Sequence, residues 1–134
     1  MTVEEKKKYL KSYQSLAREI EQKQFSLSNL IDSRDRITTI LSDMPRGGGN
    51  KDRSMISDEI IDLQKDLQEK LKAAMALRID IKSKIDEVDD IDRRIVLSYR
   101  YIDNLKFDDI ADRMNFSVRS VFYLHDKGIK DIKI

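Results

Sequence analysis

The sequence predicts an all-α protein. A long antiparallel helical hairpin of coiled-coil type, residues 1–89, is followed by a small trihelical domain over residues 90–134. Three observations carry this. The 134 residues include one proline and four glycines, three of them adjacent, which leaves few places for the chain to turn. Apolar residues recur at alternating steps of three and four along two long stretches. At "DEVDDIDRRI" the long repeat gives way to shorter amphipathic pieces.

The first stretch runs through Tyr13, Leu16, Ile20, Lys23, Leu27, Leu30, Arg34, Ile37, Leu41 and Met44, and eight of these ten are apolar. That is a coiled-coil seam rather than a broad amphipathic stripe. The helix is expected to end before Pro45, which disfavours helical backbone in its predecessor. "PRGGGNKDRS", residues 45–54, reads as a loop. A second seam follows at Ile60, Gln64, Leu67, Leu71, Ala74, Arg78, Ile81, Ile85 and Val88, seven of nine apolar. Ser57 is its expected N-cap, with Asp58 and Glu59 in the first turn.

Two helices of about 32 residues each reach roughly 48 Å, and the short connection makes them antiparallel. Lys23, Arg34, Gln64 and Arg78 read as polar positions that set register. Leu10, Ala17, Ile31 and Ile40 flank one seam, and Ile61, Leu63, Met75 and Leu77 the other. A lone hairpin cannot bury both stripes, so a homodimer is expected. The alternative is that the C-terminal domain folds back over the second stripe.

Asp89 or Asp90 is expected to cap the first of three short helices, at about 91–102, 107–114 and 118–132. Inward candidates are Ile95, Tyr99, Ile102, Leu105, Ile110, Ala111, Met114, Phe116, Val121 and Leu124. Asn115 sits where the middle helix must turn, a position suited to the left-handed backbone that asparagine tolerates. Ser117 then offers a side-chain oxygen to the first amides of the last helix. Small Ala111, Asn115 and β-branched Val121 have the offsets of a helix-turn-helix in which two helices cross closely.

"RYIDNLKFDDIADRMNFSVRSVFYLHDKGIKDI" resembles region 4 of bacterial sigma-70-type factors: an RY-containing helix, an EEIA-like helix, a turn ending in serine, and a recognition helix. In layout the whole chain is similar to short phage and prophage proteins of Gram-positive bacteria, with a helical N-terminal half, a polar mid-chain loop and an LH pair in the last helix, here Leu124-His125. The resemblance implies a transcriptional regulator of phage late genes that binds double-stranded DNA. By position it makes Val118, Arg119, Phe122 and Tyr123 groove-facing. Two departures stand out. Val118 and Phe122 offer only apolar contact, such as to a thymine methyl. Lys106 occupies the usual Ser/Thr cap position before the middle helix, a loss of about 1 kcal/mol, offset in part by Asp108 and Asp109 at the positive end of the helix dipole.

Within that frame Arg119 is the candidate to bridge guanine N7 and O6. Tyr123 lies one turn on, within reach of a base edge or phosphate, and Ser120 is a candidate for the DNA backbone. Phe122 either contacts the groove or packs against another helix. Lys106, Arg113, Lys127 and Lys130 are candidate phosphate anchors, which position without reading sequence. Residues 117–134 carry net charge +2 and residues 90–116 carry −1, so polarity is mild. Binding by one copy should be weak and salt-dependent, and pairing two copies strengthens it.

Charged residues make up 38% of the chain, yet net charge is only +1, so no whole-molecule basic field exists. Without cysteine there is no disulfide or thiolate metal site. No apolar run approaches a membrane span, and "MTVEEKKKYL" lacks the apolar core of a signal peptide, so a cytoplasmic protein is expected. His125, the only histidine, forms no zinc site alone; a phosphate contact or local packing suits it better. Asp89/Asp90 and Asp108/Asp109 fall at helix starts with no nucleophile or phosphate loop nearby, so no enzymatic activity, metal or cofactor is expected. Two other classes fit parts of the pattern: a DNA-packaging component resembling small terminase subunits, and an adaptor binding RNA polymerase.

Overall fold

The structure, a computed structural model, describes residues 1–42 and 49–134, with side chains described in 1–37 and 54–134. Among the described residues there are five helices and no strand: α1 (Val3–Ser42), α2 (Gly49–Asp86), α3 (Ile91–Tyr101), α4 (Phe107–Met114) and α5 (Val118–Asp131). None is long and apolar enough to cross a membrane. Two compact units form, residues 17–73 and residues 1–16 with 74–134.

In the unit of residues 17–73, α1 and α2 are antiparallel. Lys70 Nζ meets Glu19 Oε1 at 3.1 Å and Lys23 Nζ meets Asp66 Oδ2 at 3.0 Å. As the index rises on one helix it falls on the other. Lys23, a seam position, pairs across the hairpin with Asp66. Ile20, Ile60 and Leu67 are buried, whereas Gln64 and Leu71 are exposed. Leu63 and Lys70, three residues after each buried position, are half-buried, so the second line of contact on α2 runs through them and not through Gln64 and Leu71 as the seam expected.

Two expectations for the hairpin need correction or delimiting. α2 starts at Gly49 rather than at Ser57, which lies inside the helix. After Pro45 nothing between Asn50 and Ser57 breaks a helix, and adding residues to a formed helix costs little. The remainder of the expected loop, together with Met44, lies outside the described residues.

In the other unit, Leu10 of α1 and Ile81, Ile85 and Val88 near the end of α2 pack with Leu97, Tyr101, Ile129 and Ile132 in one buried cluster. The boundary expected at residues 89 and 90 falls within this core. Leu10 lies beside its seam, and here the C-terminal helices cover it. Fully burying such a side chain contributes about 1.5–3 kcal/mol. A second cluster joins Val96, Ile110, Ala111 and Val121. α3 serves both clusters, Val96 facing one and Leu97 the other.

The turns explain the placement. Thr2 and Glu5 form a reciprocal cap on α1: the Glu5 amide donates to Thr2 Oγ1 at 3.2 Å and the Thr2 amide to Glu5 Oε2 at 3.0 Å. Asp90 caps α3 by accepting from the Arg93 amide at 3.0 Å. Arg94 stitches the preceding turn, Nε donating to the Val88 carbonyl at 2.9 Å. Asn115 is left-handed, φ 56°, and its neighbour Phe116 donates back to the Ala111 carbonyl at 3.0 Å. A second left-handed residue, Asn104 at φ 57°, ends the turn after α3.

Candidate nucleic-acid interface

Ser117 fixes the start of α5: its Oγ accepts from the Ser120 amide at 3.1 Å. With that phase set, Val121, His125, Gly128 and Ile129 turn inward. At 100° per residue, Arg119, Tyr123 and Lys130 fall on the opposite face. Arg119 and Ser120 are exposed, and Tyr123 is 59% exposed. These three line an open groove of about 470 Å³ with Asp92, Phe116 and Leu124. Arg119 forms no ion pair among the described residues, while Ser120 Oγ accepts from Ser117 Oγ at 2.9 Å. Lys127 Nζ lies 5.6 Å from the Tyr123 ring centroid, holding an ammonium against the ring face.

The other candidates separate. Val118 is half-buried and packs on the cluster around Val96 and Ile110, which commits its side chain inward. Phe122 is 45% exposed, and its ring centre stands 4.5 Å from that of Phe107, so packing claims one face of the ring. Lys106 begins α4 without a side-chain cap, as expected from its chemistry, and is exposed. Arg113 stands 5.9 Å over the Tyr99 ring. Lys130 is exposed, and its carbonyl accepts from Lys6 Nζ at 3.2 Å.

Behind this face lies a polar chain that is buried at Tyr101 and His125 and surfaces at Asp126. Tyr101 Oη and His125 Nε2 are 2.6 Å apart, and His125 Nδ1 is 3.1 Å from Asp126 Oδ1. His125 is 5% exposed, so local packing and not phosphate occupies it. Burial lowers its pKa, with the Asp126 hydrogen bond opposing. Burial also pushes the Tyr101 hydroxyl up to about 12. A neutral imidazole carrying its proton on Nδ1 satisfies both contacts: it donates to Asp126 and accepts from Tyr101. Among the described residues no cluster of metal-ligating side chains occurs.

Some of the inward candidates change place. Phe116 is 38% exposed and belongs to the groove, because the turn at Asn115 swings it away from the core. Val96, Leu97 and Tyr101 are buried where Ile95, Tyr99 and Ile102 were expected to be; those three are only half-buried. Sequence reasoning also missed basic residues from α1: Lys7 and Lys11 line a smaller cavity with Phe122 and His125. The run "EEKKKYLK" was their one visible signal.

The helices and their turns define an all-α protein whose last two helices are joined through a left-handed asparagine. A family model described as a protein of unknown function, DUF1492, matches residues 36–133, and the chain belongs to that family. No curated protein and no solved structure matches it.

Proposed function

We propose that the protein is a DNA-binding transcriptional regulator of phage or prophage genes, acting in the cytoplasm of a bacterial host. In this reading α4 and α5 form the helix-turn-helix, α5 enters the major groove, and the N-terminal half pairs two copies. One observation carries it: Arg119, Ser120 and Tyr123 share the outward surface of a helix whose phase is locked by Asn115 and Ser117. Arg119 reads guanine, Tyr123 a base edge or phosphate, and Ser120 the backbone. Lys106, Arg113, Lys127 and Lys130 anchor phosphates. Exposed Phe25 and Ile61 in the unit of residues 17–73 supply apolar surface for the second copy. No catalytic step is assigned.

The test is fluorescence anisotropy with phage-derived duplexes. Salt-dependent binding by the wild-type chain that weakens in Arg119→Ala/Tyr123→Ala is expected. Equal binding by the two proteins, or none by either, rejects the reading.

A second reading, an adaptor that binds RNA polymerase, draws on the apolar character of the same face, where Phe116 is exposed beside Tyr123. Capture of polymerase core by Arg119→Ala/Tyr123→Ala, after its affinity for DNA is lost, distinguishes it. A small-terminase-like packaging role predicts a ring of many subunits instead of a pair.

A further inference from the structure

The start of α1 brings to α5 lysines that α5 itself does not supply. Lys6 Nζ is bonded to the Lys130 carbonyl, which holds this end of α1 beside α5. Lys7 and Lys11, four residues apart and so on one face of α1, line a cavity of about 180 Å³ with Arg100, Phe107, Phe122 and Asp126 among its walls. Three permanent cations here meet one carboxylate, and Asp126 is already engaged by His125 Nδ1 at 3.1 Å. The other acid near Lys7 is Glu4, at 4.0 Å and exposed. Lys11 has no ion pair among the described residues. Arg100 is held in place by a bond from its Nη1 to the Leu105 carbonyl at 3.1 Å and by the Phe107 ring 4.4 Å away. Lys7 and Arg100 both line this cavity beside His125.

Gathered like charges repel, and an anion relieves that repulsion. We infer that this cavity is a phosphate-binding site and, resting on the proposed reading of α5 as the DNA-facing helix, that its occupant is a backbone phosphodiester of the bound duplex. The space suits a tetrahedral oxyanion and falls below the roughly 300 Å³ at which pockets for whole small molecules begin. Half-exposed Phe122 at the rim offers an apolar surface to the adjoining sugar. The groove beside Arg119 balances one base against Asp92, so phosphate attraction is stronger on the α1 side.

The experiment is anisotropy of the full chain on duplex DNA across a salt series, for wild type, Lys11→Gln, Lys7→Gln/Lys11→Gln, and a control, Lys65→Gln/Lys72→Gln, in exposed positions of α2. Each phosphate contact contributes about 0.9 to the slope of log K against log salt. One phosphodiester in the cavity accounts for about 0.9 of the slope, so the slope should fall by about 0.9 in Lys7→Gln/Lys11→Gln and by no more than that in Lys11→Gln, with the control unchanged. Wild-type binding with the same slope in every variant overturns the phosphodiester as occupant and leaves the DNA reading intact, as does an equal fall in the control. No duplex binding by wild type overturns both. Inorganic phosphate is titrated separately, followed by the NMR signals of the Phe122 ring. Saturation in wild type that is lost in Lys7→Gln/Lys11→Gln, with duplex slopes unchanged, assigns the cavity to free phosphate and overturns the phosphodiester.

Discussion

Tyr101 and His125, 24 residues apart in sequence, meet at 2.6 Å inside the C-terminal unit, their rings stacked with centroids 5.6 Å apart. The contact ties α3 to α5 and makes α5 sensitive to acid. With His125 protonated, both ring nitrogens become donors, and the Tyr101 hydroxyl proton loses its acceptor. In the unfolded chain the histidine titrates near 6.5, and burial lowers that value in the fold. Between the two values the unfolded chain binds more protons. The stabilisation is therefore complete above about pH 6.5 and declines as pH drops toward the folded value. Melting temperature should decrease between about pH 7.5 and about pH 5.5, and Tyr101→Phe/His125→Phe should flatten that change. Identical pH dependence in the two proteins would disprove it.

Removing only the hydroxyl is more damaging at neutral pH. Tyr101→Phe leaves buried His125 Nε2 without a donor, a loss of about 1–3 kcal/mol in urea unfolding at pH 7.5. A change within the error of the measurement would mean that Nε2 has another partner.

At Gly128, α5 lies close against α3. A Cβ placed there stands 3.0 Å from Leu97 Cδ1 and 3.5 Å from Arg93 Cβ, and Leu97 is fully buried. Gly128→Val should cost about 1–3 kcal/mol by overpacking, measured by denaturant unfolding. Stability equal to wild type would show that Leu97 has room to move.

The turn at Asn115 predicts an ordered pair of outcomes. Asn115→Gly, free to adopt φ 56°, should fold as well as wild type or slightly better. Asn115→Val should lose about 1–2 kcal/mol, because a β-branched side chain crowds the left-handed backbone. The reverse ranking in thermal melts would contradict the backbone geometry.

Arg119→Ala/Tyr123→Ala should leave stability within about 0.5 kcal/mol, since both side chains are exposed, while losing at least about 1–3 kcal/mol of duplex affinity. A variant that unfolds would place these side chains in the core, against their exposure. Sedimentation at tens of micromolar is expected to give about two chains, and a monomer there would remove the pairing of copies.

Much of the C-terminal unit was legible because its punctuation is local. Asn115 and Ser117 fix the end of α4 and the start of α5 within a few residues, and both behave as their side-chain chemistry requires. What escaped the sequence is nonlocal. α3 is packed on two sides, so Val96 and Leu97 are both buried and a single-stripe reading takes the wrong phase. Gly128 reads as a weak helix residue until Leu97 is seen above it. For His125 the sequence leaves phosphate contact and local packing both open, because the partner that decides between them, Tyr101, lies on α3. The charge count over residues 117–134 missed Lys7 and Lys11, which arrive from the far end of the chain. The start of α2 was misjudged because three adjacent glycines suggest a longer break than the helix requires.

The core that joins Leu10 and Ile81 to Ile129 and Ile132 has a consequence for biogenesis. As the polypeptide leaves the ribosome, the segment around Leu10 emerges before Ile129 and Ile132 and cannot complete its packing until they follow. Premature termination before Ile129 therefore leaves the apolar side chains around Leu10 and Ile81 uncovered, a substrate for chaperones and proteases rather than a smaller working protein.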